Sequence, residues 1–89
     1  MKQLIVNADD FGYTAGVNRA IVDAHRTGIV TSTSLLANGA AFEDAIEQAR
    51  RTPGLDLGCH LNLVEGIPIS PPGDIPHLVN SGGRFYNLV

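Results

Sequence analysis

The chain alternates between strand-like and helix-like patterns, and this alternation restricts the fold more than any other feature. The patterns predict strands over residues 3–8, 29–37 and 55–63, and helices over residues 14–27 and 41–51. Strands that alternate with helices in the order β-α-β-α-β form parallel sheets with right-handed crossovers. The sequence therefore predicts an α/β protein.

The segments themselves support this order. The tract Leu4-Ile5-Val6 is wholly apolar, as expected of a strand that is covered on both faces. Thr14 is predicted to cap the start of the first helix, and Gly28 is predicted to cap its end. In the third strand, leucines alternate with polar or small residues, so we expect the leucines to face the helices and the others to face inward.

Three parallel strands and two helices bury a sheet poorly, which leaves two architectures open. The chain is either a small open α/β domain or the start of a (β/α) barrel that closes with later strands. A polar inward face near the carboxyl end of the third strand favours the barrel, because barrel enzymes place their chemistry there. We treat residues 1–89 as one portion of a single domain, with a loop-rich tail over 65–89 in which Arg84-Phe85-Tyr86 is a short strand or an arm.

Charge and composition exclude several classes of partner. The formal net charge of −3 gives no basic surface for nucleic acid or an anionic membrane, so we expect neither as a partner. No apolar run is long enough to span a bilayer, and the amino terminus lacks a signal-peptide pattern. The single cysteine, Cys59, excludes an internal disulfide. These features predict a cytoplasmic protein.

Two adjacent carboxylates, Asp9 and Asp10, follow the first apolar strand. An unpaired buried carboxylate is costly, and a metal ion or a reacting substrate is the usual reason to keep such a pair. His60 lies late in the third strand, and the carboxyl ends of parallel strands meet at one edge of the sheet. We therefore expect these three side chains to converge. The alternatives are an ordinary turn at Asp9 and Asp10 and a hydrogen-bonded core histidine at His60.

Two asparagines lie beside this candidate site. Asn7 falls on the same strand face as Asp9, and it is predicted to orient a ligand or a catalytic base. Asn62 follows His60 on the same face, and it is a candidate for contact with substrate. The hydroxyl-rich tract Thr31-Ser32-Thr33-Ser34 either lines a substrate pocket or makes hydrogen bonds within the sheet.

Three segments of the chain resemble the amino-terminal motifs of the YdjC-like carbohydrate deacetylases, a family that includes the chitooligosaccharide deacetylases. These segments are Asn7-Ala8-Asp9-Asp10-Phe11-Gly12, residues 31–38 and Gly58-Cys59-His60-Leu61-Asn62-Leu63. The stretch Val64-Glu65-Gly66, with the prolines and Gly83-Arg84-Phe85 after it, is similar to the branch associated with hopanoid biosynthesis. The resemblance covers nearly the whole chain but only about the first third of a barrel of roughly 250 residues.

This resemblance implies a fold, a reaction and a set of roles. Family members have a barrel-like fold, bind a divalent metal ion and hydrolyse the N-acetyl group of an amino sugar. By match to their motifs, Asp10 and His60 are metal ligands and Asp9 is the catalytic base, with the reverse assignment of the two aspartates as the alternative. Asn7 and Asn62 are then substrate-binding residues. The sequence does not choose between Mg²⁺ and Zn²⁺.

The chain departs from the family pattern in its extent. Family members carry a further histidine ligand well downstream of the position of Val89, and Cys59 stands where a small apolar residue is usual. Two alternatives to the deacetylase therefore remain. The chain is a catalytically inactive fragment that forms a homo-oligomer through an open sheet edge, or it is a small α/β module that binds a metal or a sugar.

Overall fold

The chain folds around a three-stranded parallel sheet with the order β1-β2-β3. This computed structural model describes residues 1–87. The elements are β1 Asn7–Phe11, α1 Ala15–Thr27, β2 Ser32–Leu35, α2 Phe42–Arg50, β3 Asp56–Cys59 and a 3₁₀ turn at Pro72–Asp74. The predicted α/β class and the β-α-β-α-β order are confirmed.

The first strand begins later than its apolar tract. Leu4 and Ile5 are 79% and 77% exposed, so the predicted strand over residues 3–8 and its burial on both faces are wrong. Pairing with the second strand starts only at Val6, whose carbonyl oxygen accepts hydrogen bonds from the amides of Thr31 at 2.9 Å and Ser32 at 3.3 Å. In the part of the chain that the structure describes, no strand lies beside the residues before Val6.

The third strand is also shorter than its alternating pattern predicted. Leu55 packs in the core, and Leu57 pairs with the buried Thr33 on the side of the sheet that faces the helices. Leu57, Leu61 and Leu63 are nevertheless exposed, so the expectation that the helices cover these three leucines is wrong. The reason is that β3 lies at the edge of the sheet, and the described core contains none of its residues. The second strand is trimmed in the same way, to Ser32–Leu35, and Ile29 before it is exposed.

The hydrophobic core lies between the helices and one face of the sheet. It consists of Phe11, Ile21, Val22, Ala45 and Leu55, and partly buried residues such as Ala8 and Leu35 pack against it. Removal of this apolar surface from water is the main force that holds the helices on the sheet.

Both predicted ends of α1 are informative. The Thr14 side chain accepts a hydrogen bond from the Val17 amide at 3.0 Å, which confirms the predicted cap. Gly28 is the capping residue at the end of the helix, as predicted, and its φ of −129° lies outside the left-handed region. A Cβ atom at Gly28 would lie 2.7 Å from the carbonyl oxygen of Ala24, and this close approach requires the glycine.

The opposite face of the sheet is polar and is not covered by a helix among the described residues. On this open face Ser32 Oγ donates a hydrogen bond to Asn7 Oδ1 at 2.8 Å, and Asn7 Nδ2 donates one to Ser34 Oγ at 3.0 Å. On the covered face Thr33 Oγ1 donates to the carbonyl oxygen of Ala8 at 2.7 Å. The hydroxyl-rich tract therefore makes hydrogen bonds within the sheet.

The tail after β3 folds back onto the preceding loop. Val79 and Phe85 form an antiparallel bridge and both are buried. The Phe85 amide donates a hydrogen bond to the carbonyl oxygen of Gly66 at 3.0 Å. The predicted tail extends to residue 89, and its last two residues lie outside the described residues. No helix within residues 1–87 has the length and apolar character needed to cross a membrane.

Candidate functional site

A β-bulge in the first strand carries the two adjacent aspartates. The pairing of β1 with β2 shifts register between Ala8 and Phe11, so that β1 has one more residue than β2 between paired positions. Asp10 has a φ of 71°, which makes it the one non-glycine residue of the described chain in the left-handed region. Bulges redirect side chains at the ends of strands and are frequent next to active sites. Here the bulge gives Asp9 and Asp10 different surroundings.

Asp10 and His60 lie close together, as the positions of their strands in the sheet predict. Asp10 Oδ1 lies 3.4 Å from His60 Nδ1, without the geometry of a hydrogen bond. Nδ1 is buried and has no hydrogen-bond partner in the described chain. The His60 amide donates to the carbonyl oxygen of Leu35 at 2.8 Å, which fixes the backbone directly after β3. A buried ring nitrogen that faces a carboxylate but has no hydrogen-bond partner is unusual, and a bound ion is one of the usual reasons for such an atom.

Asp9 lies apart from this pair, so the expected convergence of all three side chains is wrong for Asp9. Its Oδ1 accepts a hydrogen bond from Asn7 Nδ2 at 3.0 Å, so Asp9 belongs to the polar network of the open face. The predicted position of Asn7 beside Asp9 is what the structure shows. Neither residue lines the cavity that Asp10 and His60 share.

This cavity has a volume of about 510 Å³ and lies at the carboxyl edge of the sheet. Asp10 and His60 line it together with Asn62, Tyr13, Glu65 and Arg84. Its walls therefore come from the end of β1 and the loop after it, the loops after β2 and β3, and the folded-back tail. A cavity of this size can hold a ligand as large as a sugar.

The loop after β3 is held by two asparagine side chains. Asn62 Nδ2 donates to the carbonyl oxygen of Glu65 at 2.8 Å and to Asn38 Oδ1 at 3.1 Å, while Asn62 Oδ1 accepts from the amides of Val64 and Glu65. Asn38 Nδ2 donates to the carbonyl oxygens of Glu65 and Ile67, both at 3.1 Å. Asn62 thus lines the cavity, as expected of a substrate contact, while its amide group bonds to the chain itself.

Two features of the site have no counterpart in the sequence analysis. Tyr13 donates a hydrogen bond from its hydroxyl to Glu65 Oε1 at 3.0 Å, and both residues line the cavity. This bond and the negative charge of Glu65 raise the pKa of Tyr13 above 10, with smaller contributions from burial and from Asp10. The two residues are far apart in sequence, and no local pattern pairs them.

The second unforeseen feature is Asn18, which is fully buried. Its Oδ1 accepts a hydrogen bond from the Gly12 amide at 2.6 Å, and its Nδ2 donates to the Ala41 carbonyl oxygen at 3.1 Å and to Asp44 Oδ2 at 2.9 Å. Asn18 therefore connects the loop after β1 to the start of α2. The sequence held one sign of this burial: Asn18 is a polar residue next to the apolar Val17, within the apolar pattern of the helix.

The donor atoms at Asp10 and His60 suit a divalent metal ion. A carboxylate oxygen and an imidazole nitrogen are common ligands of such ions, and the unpartnered Nδ1 atom fits a ligand role. Within residues 1–87, no three His, Cys, Asp or Glu side chains gather closely enough to hold an ion on their own. The described chain thus supplies two ligands of a site that would need at least one more.

Comparison with known proteins shows consistent matches over almost the whole chain. The sequence model of a family described as YdjC-like protein matches residues 3–89. A protein of Brevibacillus brevis named carbohydrate deacetylase is 52% identical over 83 residues, which are 93% of this chain and 33% of the relative. A carbohydrate deacetylase of Oceanobacillus iheyensis is 51% identical over 80 residues, which are 90% of this chain and 34% of the relative.

A solved structure agrees with these matches. The crystal structure of an Enterococcus faecalis V583 protein, named as a candidate cellobiose-phosphate cleavage protein, superposes with a TM-score of 0.89 at 44% identity. The superposition covers 94% of this chain and 33% of that chain. The chain therefore spans about a third of the length of the relatives that it matches.

Proposed function

The chain belongs to the YdjC-like protein family, and from this membership we propose that it forms part of a metal-dependent carbohydrate deacetylase. The reaction is hydrolysis of the N-acetyl group of an amino sugar or oligosaccharide, which gives acetate and a free amine. Two relatives that bear the name carbohydrate deacetylase support the class of reaction. The same proposal includes a cytoplasmic location. The branch associated with hopanoid biosynthesis stays a prediction from sequence.

The observation that carries this proposal is the contact between Asp10 and His60. The 3.4 Å approach of a carboxylate oxygen to a buried, unpartnered ring nitrogen fits two ligands of one metal ion. Asp10 is held there by a left-handed backbone that most residues avoid, and such strain concentrates at functional sites. Asp10 and His60 would hold a divalent cation, either Mg²⁺ or Zn²⁺. When bound, the cation supplies Lewis acidity to the acetyl carbonyl and lowers the pKa of water.

We assign the role of general base to Asp9. Its carboxylate is exposed on the open face of the sheet, and the hydrogen bond from Asn7 fixes its orientation. In the proposed reaction, Asp9 accepts the proton of the water molecule that attacks the acetamide carbon. Asn7 is itself held by Ser32 and Ser34, so the base is anchored to two strands. Asn62 shapes the loop that borders the substrate cavity.

The barrel interpretation belongs to the same proposal. In a closed (β/α) barrel, the open polar face of this sheet would become the interior, and Asp9 would face the same space as Asp10 and His60. The chain covers a third of its relatives, and the exposed β3 edge is the place where a further parallel strand would pair. That arrangement would also supply the missing ligand.

Metal binding by the chain tests the proposal. Isothermal titration with Zn²⁺ and with Mg²⁺ should show binding that the His60→Ala variant loses. His77→Ala is the matched control, because His77 is exposed in the tail and does not line the cavity. Binding that is unchanged in His60→Ala would contradict the assigned ligand. Acetate release from N-acetylated chitooligosaccharides then measures the reaction itself.

One observation favours a second candidate function. The exposed apolar side chains of Leu61, Leu63 and Ile69 leave an apolar surface at the β3 side of the molecule. A catalytically inactive chain that self-associates would bury this surface. Assembly without acetate release in any assembled form would favour this alternative.

A further inference from the structure

We propose that Tyr13 and Glu65 form a sugar-binding pair, which contacts the pyranose ring that carries the acetamido group. This inference rests on the proposed function and specifies how its substrate is held. Both residues line the cavity that contains Asp10 and His60, and nothing in the candidate ligand set or base uses them.

The chemistry of the pair suits an uncharged carbohydrate. Tyr13 combines an aromatic ring with a hydroxyl group, and it is 45% exposed at the cavity. An aromatic ring offers an apolar surface to the C–H groups of a sugar, while a carboxylate accepts hydrogen bonds from sugar hydroxyls. Glu65 Oε1 is bonded to Tyr13, and within residues 1–87 its Oε2 accepts no hydrogen bond. That oxygen is therefore available to a ligand.

The pair is held in place before any ligand binds. The hydrogen bond between Tyr13 and Glu65 joins the loop after β1 to the loop after β3 at 3.0 Å. The backbone of Glu65 is fixed on both sides, since its amide donates to Asn62 and its carbonyl oxygen accepts from Asn38 and Asn62. Prior ordering of a binding group lowers the entropy that a ligand must overcome. The exposed Glu65 carboxylate therefore stands on a backbone that is already ordered, which suits binding of a sugar hydroxyl.

The position of the pair also fits the proposed reaction. Tyr13 follows Asp10 by a single turn, whose hydrogen bond runs from the Tyr13 amide to the Asp10 carbonyl oxygen at 3.0 Å. A sugar ring that contacts Tyr13 and Glu65 would therefore lie beside Asp10 and His60. Its acetamido group would then reach the reacting centre.

Binding of di-N-acetylchitobiose to the 89-residue chain, followed by NMR, tests this inference. Tyr13→Leu and Glu65→Ala should each weaken the Kd about tenfold, as expected for a lost charged hydrogen bond or aromatic contact. Tyr86→Leu and Glu47→Ala are matched controls. Tyr86 is exposed to 46%, Glu47 pairs with Arg51 on the surface of α2, and neither lines the cavity. Both controls should bind as the parent chain does.

The outcomes separate this inference from the proposed function. No binding by the parent chain, or equal weakening in all four variants, would overturn the sugar-binding pair. Binding that depends on Tyr13 and Glu65 supports the pair even if no acetate is released, which would count against the deacetylase alone. Acetate release with a KM unaffected by Glu65→Ala would support the deacetylase and overturn the pair.

Discussion

The proposed ligand role of Asp10 can be separated from its backbone conformation, which is unfavourable for a side chain. Its φ of 71° suits glycine, so Asp10→Gly should leave the free energy of unfolding unchanged or raise it by up to about 1 kcal/mol. The same variant should lose metal binding, because it removes the carboxylate. Urea unfolding and isothermal titration measure the two effects independently.

The neighbouring aspartate is the control for this experiment. Asp9 has no positive φ, so Asp9→Gly should lower the free energy of unfolding by at least about 0.5 kcal/mol through added backbone freedom. A loss of stability in Asp10→Gly as large as that in Asp9→Gly would show that the bulge does not favour glycine.

Asn18 is expected to matter for stability more than any exposed polar residue. Asn18→Leu removes three hydrogen bonds and leaves the buried Gly12 amide unpaired, so it should lower the free energy of unfolding by about 2–4 kcal/mol. Arg19→Leu changes an exposed residue of the same helix and should cost less than about 0.5 kcal/mol. Chemical denaturation of both variants checks the difference.

The stability of the folded chain should depend on pH in the alkaline range because of Tyr13. Its pKa is raised above 10, chiefly by the hydrogen bond to Glu65, so the folded state holds this proton more tightly than the unfolded state. The resulting stabilisation is fully present below pH 10 and is lost as the pH rises through the raised pKa. Ultraviolet absorbance of tyrosinate, compared with the Tyr13→Phe variant, reports this titration. Glu65→Gln should lower the pKa of Tyr13, and an unchanged value would contradict the assigned cause.

At the scale of elements, the sequence predicted type and order better than length. The apolar tracts around Leu4, Ile29 and Leu61 resemble strand, but a strand is defined by a paired neighbour, and the described chain offers none at those positions. No local sequence pattern predicted the bulge at Asp9 and Asp10 either. It depends on the register that β1 adopts against β2, which is a property of two distant segments.

The loops after β1 and β2 cross at Gly39, which gives an element-scale prediction. A Cβ atom at Gly39 would overlap the carbonyl oxygen of Gly12, and backbone atoms cannot move aside cheaply. Gly39→Ala should therefore lower the free energy of unfolding by about 2–4 kcal/mol. Gly73 is the control, since a Cβ atom there meets nothing within 4 Å. Equal stability of Gly39→Ala and Gly73→Ala in thermal unfolding would refute this account.

At the scale of the whole molecule, the open β3 edge predicts self-association. Exposed strand edges pair with other chains, and Leu57 on this edge strand is 46% exposed. Sedimentation velocity should show association that increases with concentration. Leu57→Lys should weaken it, whereas Ala20→Lys on the exposed side of α1 should not. A chain that stays monomeric at all concentrations would contradict the predicted homo-oligomer.

The site shows where sequence reasoning was sufficient. Adjacent parallel strands bring their carboxyl ends together, and this rule alone brought Asp10 and His60 to the same edge. It could not find the bond between Tyr13 and Glu65 or the burial of Asn18, because each depends on how loops pack in three dimensions. The metal ligand roles of Asp10 and His60 and the base role of Asp9 stay proposals.

The bond between Tyr13 and Glu65 joins positions 52 residues apart, and this separation has a consequence for the order of events during synthesis. A contact of that span cannot form on a ribosome until Glu65 has left the exit tunnel. Once Arg84 has also emerged, every described wall of the cavity is present. The cavity could then form on the nascent chain, and any later strand could pack against it.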